Sequence, residues 1–264
     1  MPAFTTKDVQ ELRQRTGVGI LDAKRALEEN DGDMERAVTW LREQGLASSA
    51  KRADREASEG AVAIGRTPTV ASIVQLRSET DFVAKSDEFV RFVDELAQSV
   101  AEKDESAVDE GAGQIEQLRS TLKENISVGR VERIEQPDGG VLDSYLHMQA
   151  GRGVNAVVVA LDGGTPELAH DIATHIAFAR PVYVSRDDVP ADEVAAERET
   201  VEKIARNEGK PEAALPKIIE GRMSGWYKDR VLLDQGYVKD EKQTIAQLLG
   251  PARVVRFAQV VVGD

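Results

Sequence analysis

Apolar residues in the first 45 positions recur at three- and four-residue intervals, the spacing of one face of a helix. Val9 and Leu12 mark a first face. Leu21, Ala23, Ala26 and Leu27 mark a second, and Ala37, Val38 and Leu41 a third. The punctuation agrees with that periodicity. "TTKD" puts an acid three positions after Thr5, a pattern that satisfies the free amides of a helix start. "TGVG" at 16–19 and "NDGD" at 30–33 break the helices, with Asp33 placed to cap the third. Gly45 stands where a helix commonly ends. Residues 1–47 therefore read as a three-helix head. A core of this size is marginal alone, so the head reads as a docking module. Residues 48–58, "SSAKRADREAS", lack large apolar side chains and read as a linker or a solvated helical strap.

Beyond residue 58 one pattern occurs twice. In the first copy, 61–64 and 70–76 read as strands. A helix from Ser86 follows, carrying Phe89, Phe92, Val93, Leu96 and Val100 at helical spacing. A second helix holds Ile115, Leu118 and Leu122, and "GRVERI" at 129–134 alternates like a strand. In the second copy, 140–148 and 155–162 are the strands. A helix from Thr165 bears Leu168, Ile172 and Ile176; near the end come Ile245, Leu248 and Leu249 on a helix and the strand 252–257. The interval from Leu161 to Arg253 exceeds that from Leu76 to Arg130 by about the length of residues 190–228. That stretch reads as two helices reversed at "NEGKP" (207–211). The expected architecture is α+β: the three-helix head, a first subdomain over 59–138, and a related second one over 139–264. Each has a small antiparallel sheet, and the second carries an inserted helical hairpin at 190–228.

Charge sharpens this picture. The net charge is −13, and residues 1–58 are nearly neutral, so the body carries almost all of it. An acidic body argues against a broad nucleic-acid or anionic-membrane footprint. The 264 residues include no cysteine, which removes disulfides, thiolate metal sites and cysteine nucleophiles. The start has no apolar signal core, and no apolar run approaches the roughly 18 residues that span a bilayer. The expected compartment is the cytoplasm.

Candidate chemistry is sparse. Neither GxxxxGK[ST] nor GxGxxG occurs, so no phosphate cradle is expected. His170 and His175 lie five apart on one expected helix and cannot form an i, i+4 metal pair. His175 falls on the apolar stripe and reads as a hydrogen-bonded core histidine. His147 ends a strand on the same face as Tyr145. With 47 acids, carboxylate pairs arise by chance, and no serine has a nucleophile context. Nothing in the residues argues for an enzyme, and no cofactor is expected.

"ETDFVAK" at 79–85 stands out. It lies between an expected strand and an expected helix, and places one of only 6 phenylalanines beside a carboxylate. Pattern alone favours Phe82 as a plug of the local core, with Asp81 as a cap. The alternative is an aromatic probe presented on a loop between rigid elements.

"LRQRTGVGILDAKRAL" (12–27) resembles the amino-terminal signature of the bacterial translation elongation factor Ts family, and "ETDFVAK" resembles that family's second signature. "NDGDMERAVTWLREQG" (30–45) completes a ubiquitin-associated-like head, and "SYLH", "HIAFARP", "GKP" and "EGRM" follow in family order. The resemblance spans nearly the whole chain. It implies a guanine-nucleotide exchange factor rather than an enzyme. The partner would be elongation factor Tu, GDP-bound and nucleotide-free, with no direct nucleic-acid or membrane contact; self-association is left open. It implies that Thr80, Asp81, Phe82 and Val83 dislodge magnesium in that partner, Phe82 wedging into an apolar slot while Thr80 and Val83 shape the turn. Val9 and Leu12 in the head, and His147, become further expected partner contacts. Gln75 and Arg77 stand where the family usually has Glu and Asn, so the base of the turn is expected to be held differently. The chain stops soon after the last strand, which predicts a smaller interface than in members with a further terminal helix. Two rival readings remain: an enzyme pairing Asp81 with His147 or His175, and an adaptor whose head binds a partner helix while Phe82 is core.

Overall fold

The computed structural model describes residues 4–16, 18–50 and 55–264. Three helices open the chain: α1 (Thr6–Thr16), α2 (Ile20–Glu29) and α3 (Met34–Ala50). The Thr5 amide and hydroxyl both donate to Asp8, whose own amide donates back to the Thr5 hydroxyl. Asp33 accepts the Arg36 amide at the start of α3. Val9, Leu12, Ala23, Ala26, Leu27, Ala37 and Leu41 form one buried cluster. The third helix does not stop at Gly45 but runs on to Ala50. Gly45 is flanked by Glu43 and Gln44 before it and Leu46 and Ala47 after it, all good helix formers, so the helix carries through the glycine. Of the expected strap, residues 51–54 lie outside the described residues.

Two three-stranded antiparallel sheets follow. The first is β1 (Glu59–Arg66), β2 (Val70–Ser78) and β3 (Ser127–Glu135), in the order β1-β2-β3. Between β2 and β3 come α4 (Asp81–Ala84), α5 (Asp87–Glu102), α6 (Ala107–Glu110) and α7 (Ala112–Leu122). The second sheet is β4 (Val141–Gln149), β5 (Arg152–Asp162) and β8 (Arg253–Val261), in the order β4-β5-β8. Between β5 and β8 lie α8 (Pro166–Ala179), α9 (Ala191–Asn207), α10 (Leu215–Arg230), a β6–β7 hairpin (Gly236–Tyr237 with Asp240–Thr244) and α11 (Ile245–Leu249). The same strand order, with the third strand entering after helices, appears in both units. The α9–α10 hairpin is the element added to the second, with its own small core of Val201, Ala205, Leu215, Ile219 and Met223. The β6–β7 hairpin has no counterpart in the sequence reading, because its residues are mostly polar and exposed.

The sheets are covered on both faces. One face of the first packs Ala61, Ala63, Val74 and Leu76 against Phe89, Phe92, Val93 and Leu96 of α5. One face of the second packs Val157, Val159 and Leu161 against Ile172, Ala173 and Ile176 of α8. The remaining faces meet each other through Val62, Ala71, Ile73, Ile134, Ala156, Val158, Ala160, Ala258 and Val260. Strands buried on both faces lose polar–apolar alternation, which is why β2 and β5 read as almost continuous apolar runs. Gly65 lets α5 lie directly on β1: a Cβ there would stand 2.1 Å from the Ala97 carbonyl oxygen. Gly153 does the same between the sheets, 2.2 Å from the Val62 carbonyl oxygen.

Candidate functional site

The sandwich has one end where β2 finishes, β1 and β3 begin, the β4–β5 hairpin turns and β8 finishes. "ETDFVAK" emerges there. The segment is not an open loop: Asp81–Ala84 form one helical turn. Thr80 is its N-cap, extended at φ −123 and ψ 154, and its hydroxyl accepts the Val83 amide at 3.3 Å. The Ser78 hydroxyl donates to the Thr80 carbonyl at 3.0 Å, and the Ser86 hydroxyl donates to the Val83 carbonyl at 2.8 Å. Both ends of the turn are thereby tied to neighbouring elements.

Helical rotation of about 100° per residue then decides which side chains face inward. Ala84 is fully buried and Val83 packs beside it on the first core. Phe82 consequently points away and is 84% exposed, whereas Phe89 and Phe92 are buried. Asp81 faces outward as well. Its carboxylate lies 2.5 Å from the Lys85 ammonium, one helical turn on. That hydrogen bond, with the charges of Lys85 and Arg152, holds the Asp81 carboxyl below the usual carboxylate range. Arg152, at the start of β5, donates to the Gly60 carbonyl and pairs with Glu59 at 2.9 Å. The β4–β5 hairpin and the turn are thus neighbours at one end of the body.

A connector between α7 and β3 completes the site. The Glu124 carboxylate accepts the Glu79 and Thr80 amides, each at 3.0 Å, and the Thr80 hydroxyl at 2.5 Å. Sequence reasoning missed Glu124, which lies 44 positions from Thr80, is one acid among 47 and carries no local motif. The two departures from the family pattern also find roles. Gln75 is buried and accepts the Arg130 amide at 3.1 Å, opposite a bulge of β3. Its side-chain amide donates to the Val261 carbonyl, and Arg77 donates to the Asp264 carbonyl. The base of the turn is therefore tied to the end of β8.

His147 is exposed on β4, with its Nδ1 3.4 Å from the Tyr145 hydroxyl and the two rings stacked. Val9 and Leu12 are not available as contacts. They point into the three-helix core, at 7% and 0% exposure, because the apolar stripe of α1 is what the small head has to bury. Among the described residues, the large apolar side chains that the head exposes are Ile20 and Leu21 at the start of α2. His175 is buried with Nε2 2.9 Å from Gln235 Oε1, and burial, only partly countered by that glutamine, lowers its pKa. His170 lies on the surface, 3.0 Å from Asp143. Asp81, His147 and His175 thus face different partners, and no acid–base pair is assembled from them. Among the described residues no group of three or more His, Cys, Asp or Glu is placed to hold a metal ion. No described helix is long and apolar enough to cross a membrane.

A family model described as "Elongation factor TS" matches residues 79–264, beginning at the strand-to-helix turn. Curated proteins called elongation factor Ts are similar over the full length of both chains. Those of Clavibacter sepedonicus and Clavibacter michiganensis are each 44% identical over 282 residues, and that of Kineococcus radiotolerans is 43% identical over 277. A helical head, two related α+β units and a braced aromatic turn, together with these matches, define a translation elongation factor. The chain belongs to the elongation factor Ts family.

Proposed function

We propose that the chain is the guanine-nucleotide exchange factor for elongation factor Tu in translation elongation. It binds the GDP form, displaces the partner's magnesium and promotes GDP release so that GTP can bind. The observation that carries this reading is Phe82: a large apolar ring held in water at the tip of a capped turn, in a chain of that family. An exposed ring on a rigid support is stabilised only when a partner covers it. Burying a phenylalanine contributes about 1.5–3 kcal/mol, available to offset the displacement of whatever holds the partner's metal. Magnesium neutralises nucleotide phosphate charge, so its loss weakens GDP. Asp81 adds a negative charge beside the ring, at the place where a cation is to be dislodged. His147 is a second contact from the same end of the body. In the head, Ile20 and Leu21 replace Val9 and Leu12 as docking residues.

Coupling between factor and nucleotide is reciprocal. A factor that loosens GDP is itself loosened by rebinding nucleotide, so excess GTP releases it and sets the direction of exchange. The test is Phe82→Ala, with release of fluorescent GDP from elongation factor Tu as the readout. Stimulated release is expected to fall by about one to two orders of magnitude, the equivalent of the lost burial. The melting temperature should stay unchanged, because the ring is already solvated. Undiminished stimulation would sink the proposal. An adaptor in which Phe82 is merely core does not fit a ring that is 84% exposed.

A further inference from the structure

We infer that Glu124 is a positioning residue for the probe, and that the connector Lys123–Asn125 sets the ring's direction before any partner arrives. This inference rests on the exchange function proposed above. A four-residue helix has no stability of its own, since nucleation costs more than one turn of hydrogen bonds returns. Something outside the turn must hold it, and a single carboxylate takes three of its donors: the Glu79 amide, the Thr80 amide and the Thr80 hydroxyl. Charge-assisted bonds of this kind are the stronger class. The proton that Thr80 gives to Glu124 leaves the hydroxyl's lone pairs free for the Val83 amide. The brace and the helix cap therefore share one oxygen, and the cap's orientation follows the brace.

The flanking residues extend the same device. Lys123, in a left-handed conformation at φ 60, reaches Asp22 of α2 at 2.7 Å, one position from the exposed Leu21. The Asn125 amide donates to Glu79 Oε1 at 2.7 Å, and the Asn125 side chain donates to the Arg55 carbonyl at 2.7 Å. Three consecutive residues thus touch the head, the probe turn and the chain leading into β1. The ring is ordered before docking, so less freedom is lost on binding.

Glu124→Gln tests the idea. It keeps shape and size but turns one acceptor oxygen into a donor that faces other donors. Stimulated GDP release should fall about tenfold, with the melting temperature nearly unchanged. Amide exchange should quicken at Val83 and Lys85 while Ile73 in β2 keeps its protection. Thr80→Val, which removes one of the three donors and the helix cap with it, should lower release by at least as large a factor. In a Phe82→Ala background, Glu124→Gln should add almost nothing, because its effect passes through the ring. Additive losses would overturn the inference, as would full stimulation by Glu124→Gln alongside a crippled Phe82→Ala. Loss of protection throughout β2 would also overturn it, by showing a general staple of the fold. If Phe82→Ala itself stimulates normally, the exchange reading fails first and independently.

Discussion

Asp81 and His175 show how environment, not residue type, sets what a side chain contributes. Asp81 is solvated, yet its pairing with Lys85 keeps it ionised well into acid. A carboxyl whose folded pKa is depressed contributes stability above its ordinary value, and loses it only as pH falls through the lower folded one. Exchange activity should therefore show no Asp81-linked change anywhere near neutral pH. His175 behaves differently. Burial disfavours its imidazolium and places its folded pKa below 6.5, so the unfolded chain takes up a proton that the folded chain refuses. Stability is unaffected by this group above pH 6.5 and falls as pH drops below it. Urea unfolding at pH 7.5 and 5.5 should show a loss at the lower pH that is reduced in His175→Gln. The core placement of His175 could be read from its spacing to Leu168 and Ile172. The direction of Phe82 could not, because phenylalanine beside a polar turn is compatible with either side of the chain surface.

The longer helices and the sheet strands form where a periodic or continuous apolar face finds something to cover it. The head illustrates the limit of that rule. Leu12 is completely buried, but its cluster is small: Val9, Leu27, Leu41 and three alanines are buried with it, and Phe4, Met34 and Trp40 pack on it only half-buried. Leu12→Ala removes about 2–5 kcal/mol from such a site, which is comparable to what a module of this size can hold. Circular dichroism and amide exchange should show the head melting in this variant while α5 and the two sheets remain protected. A head-dependent loss of partner affinity would accompany it. Element boundaries were readable where capping chemistry marks them, as at Thr5, Asp33 and Thr165, whose hydroxyl accepts the Leu168 amide. They failed at Gly45, where the glycine is carried inside α3, and for the turn Asp81–Ala84, which is too short to show a period. The β6–β7 hairpin was invisible for a related reason: exposed strands present no apolar alternation.

Across the whole molecule, the two related units share a middle layer. Ile73 is fully buried between the sheets and touches the core made by both. Ile73→Ala should cost about 2–5 kcal/mol, and chemical denaturation should show the loss in probes placed on either sheet, since neither can shed the shared layer alone. Uncoupled transitions would show that the sheets are independent. The amino-acid order determined the helical head, the repeated strand-and-helix unit, the hairpin inserted into its second copy and the segment that carries Phe82. All of these are written in spacings and caps that act between near neighbours in the chain. The tertiary structure alone decided that Phe82 faces water, that Val9 and Leu12 do not, and that Glu124 arrives under Thr80. Those outcomes depend on which residues distant in sequence close over a turn. Burial and hydrogen bonding are satisfied in space, so a carboxylate far along the chain serves as well as an adjacent one and leaves no local mark.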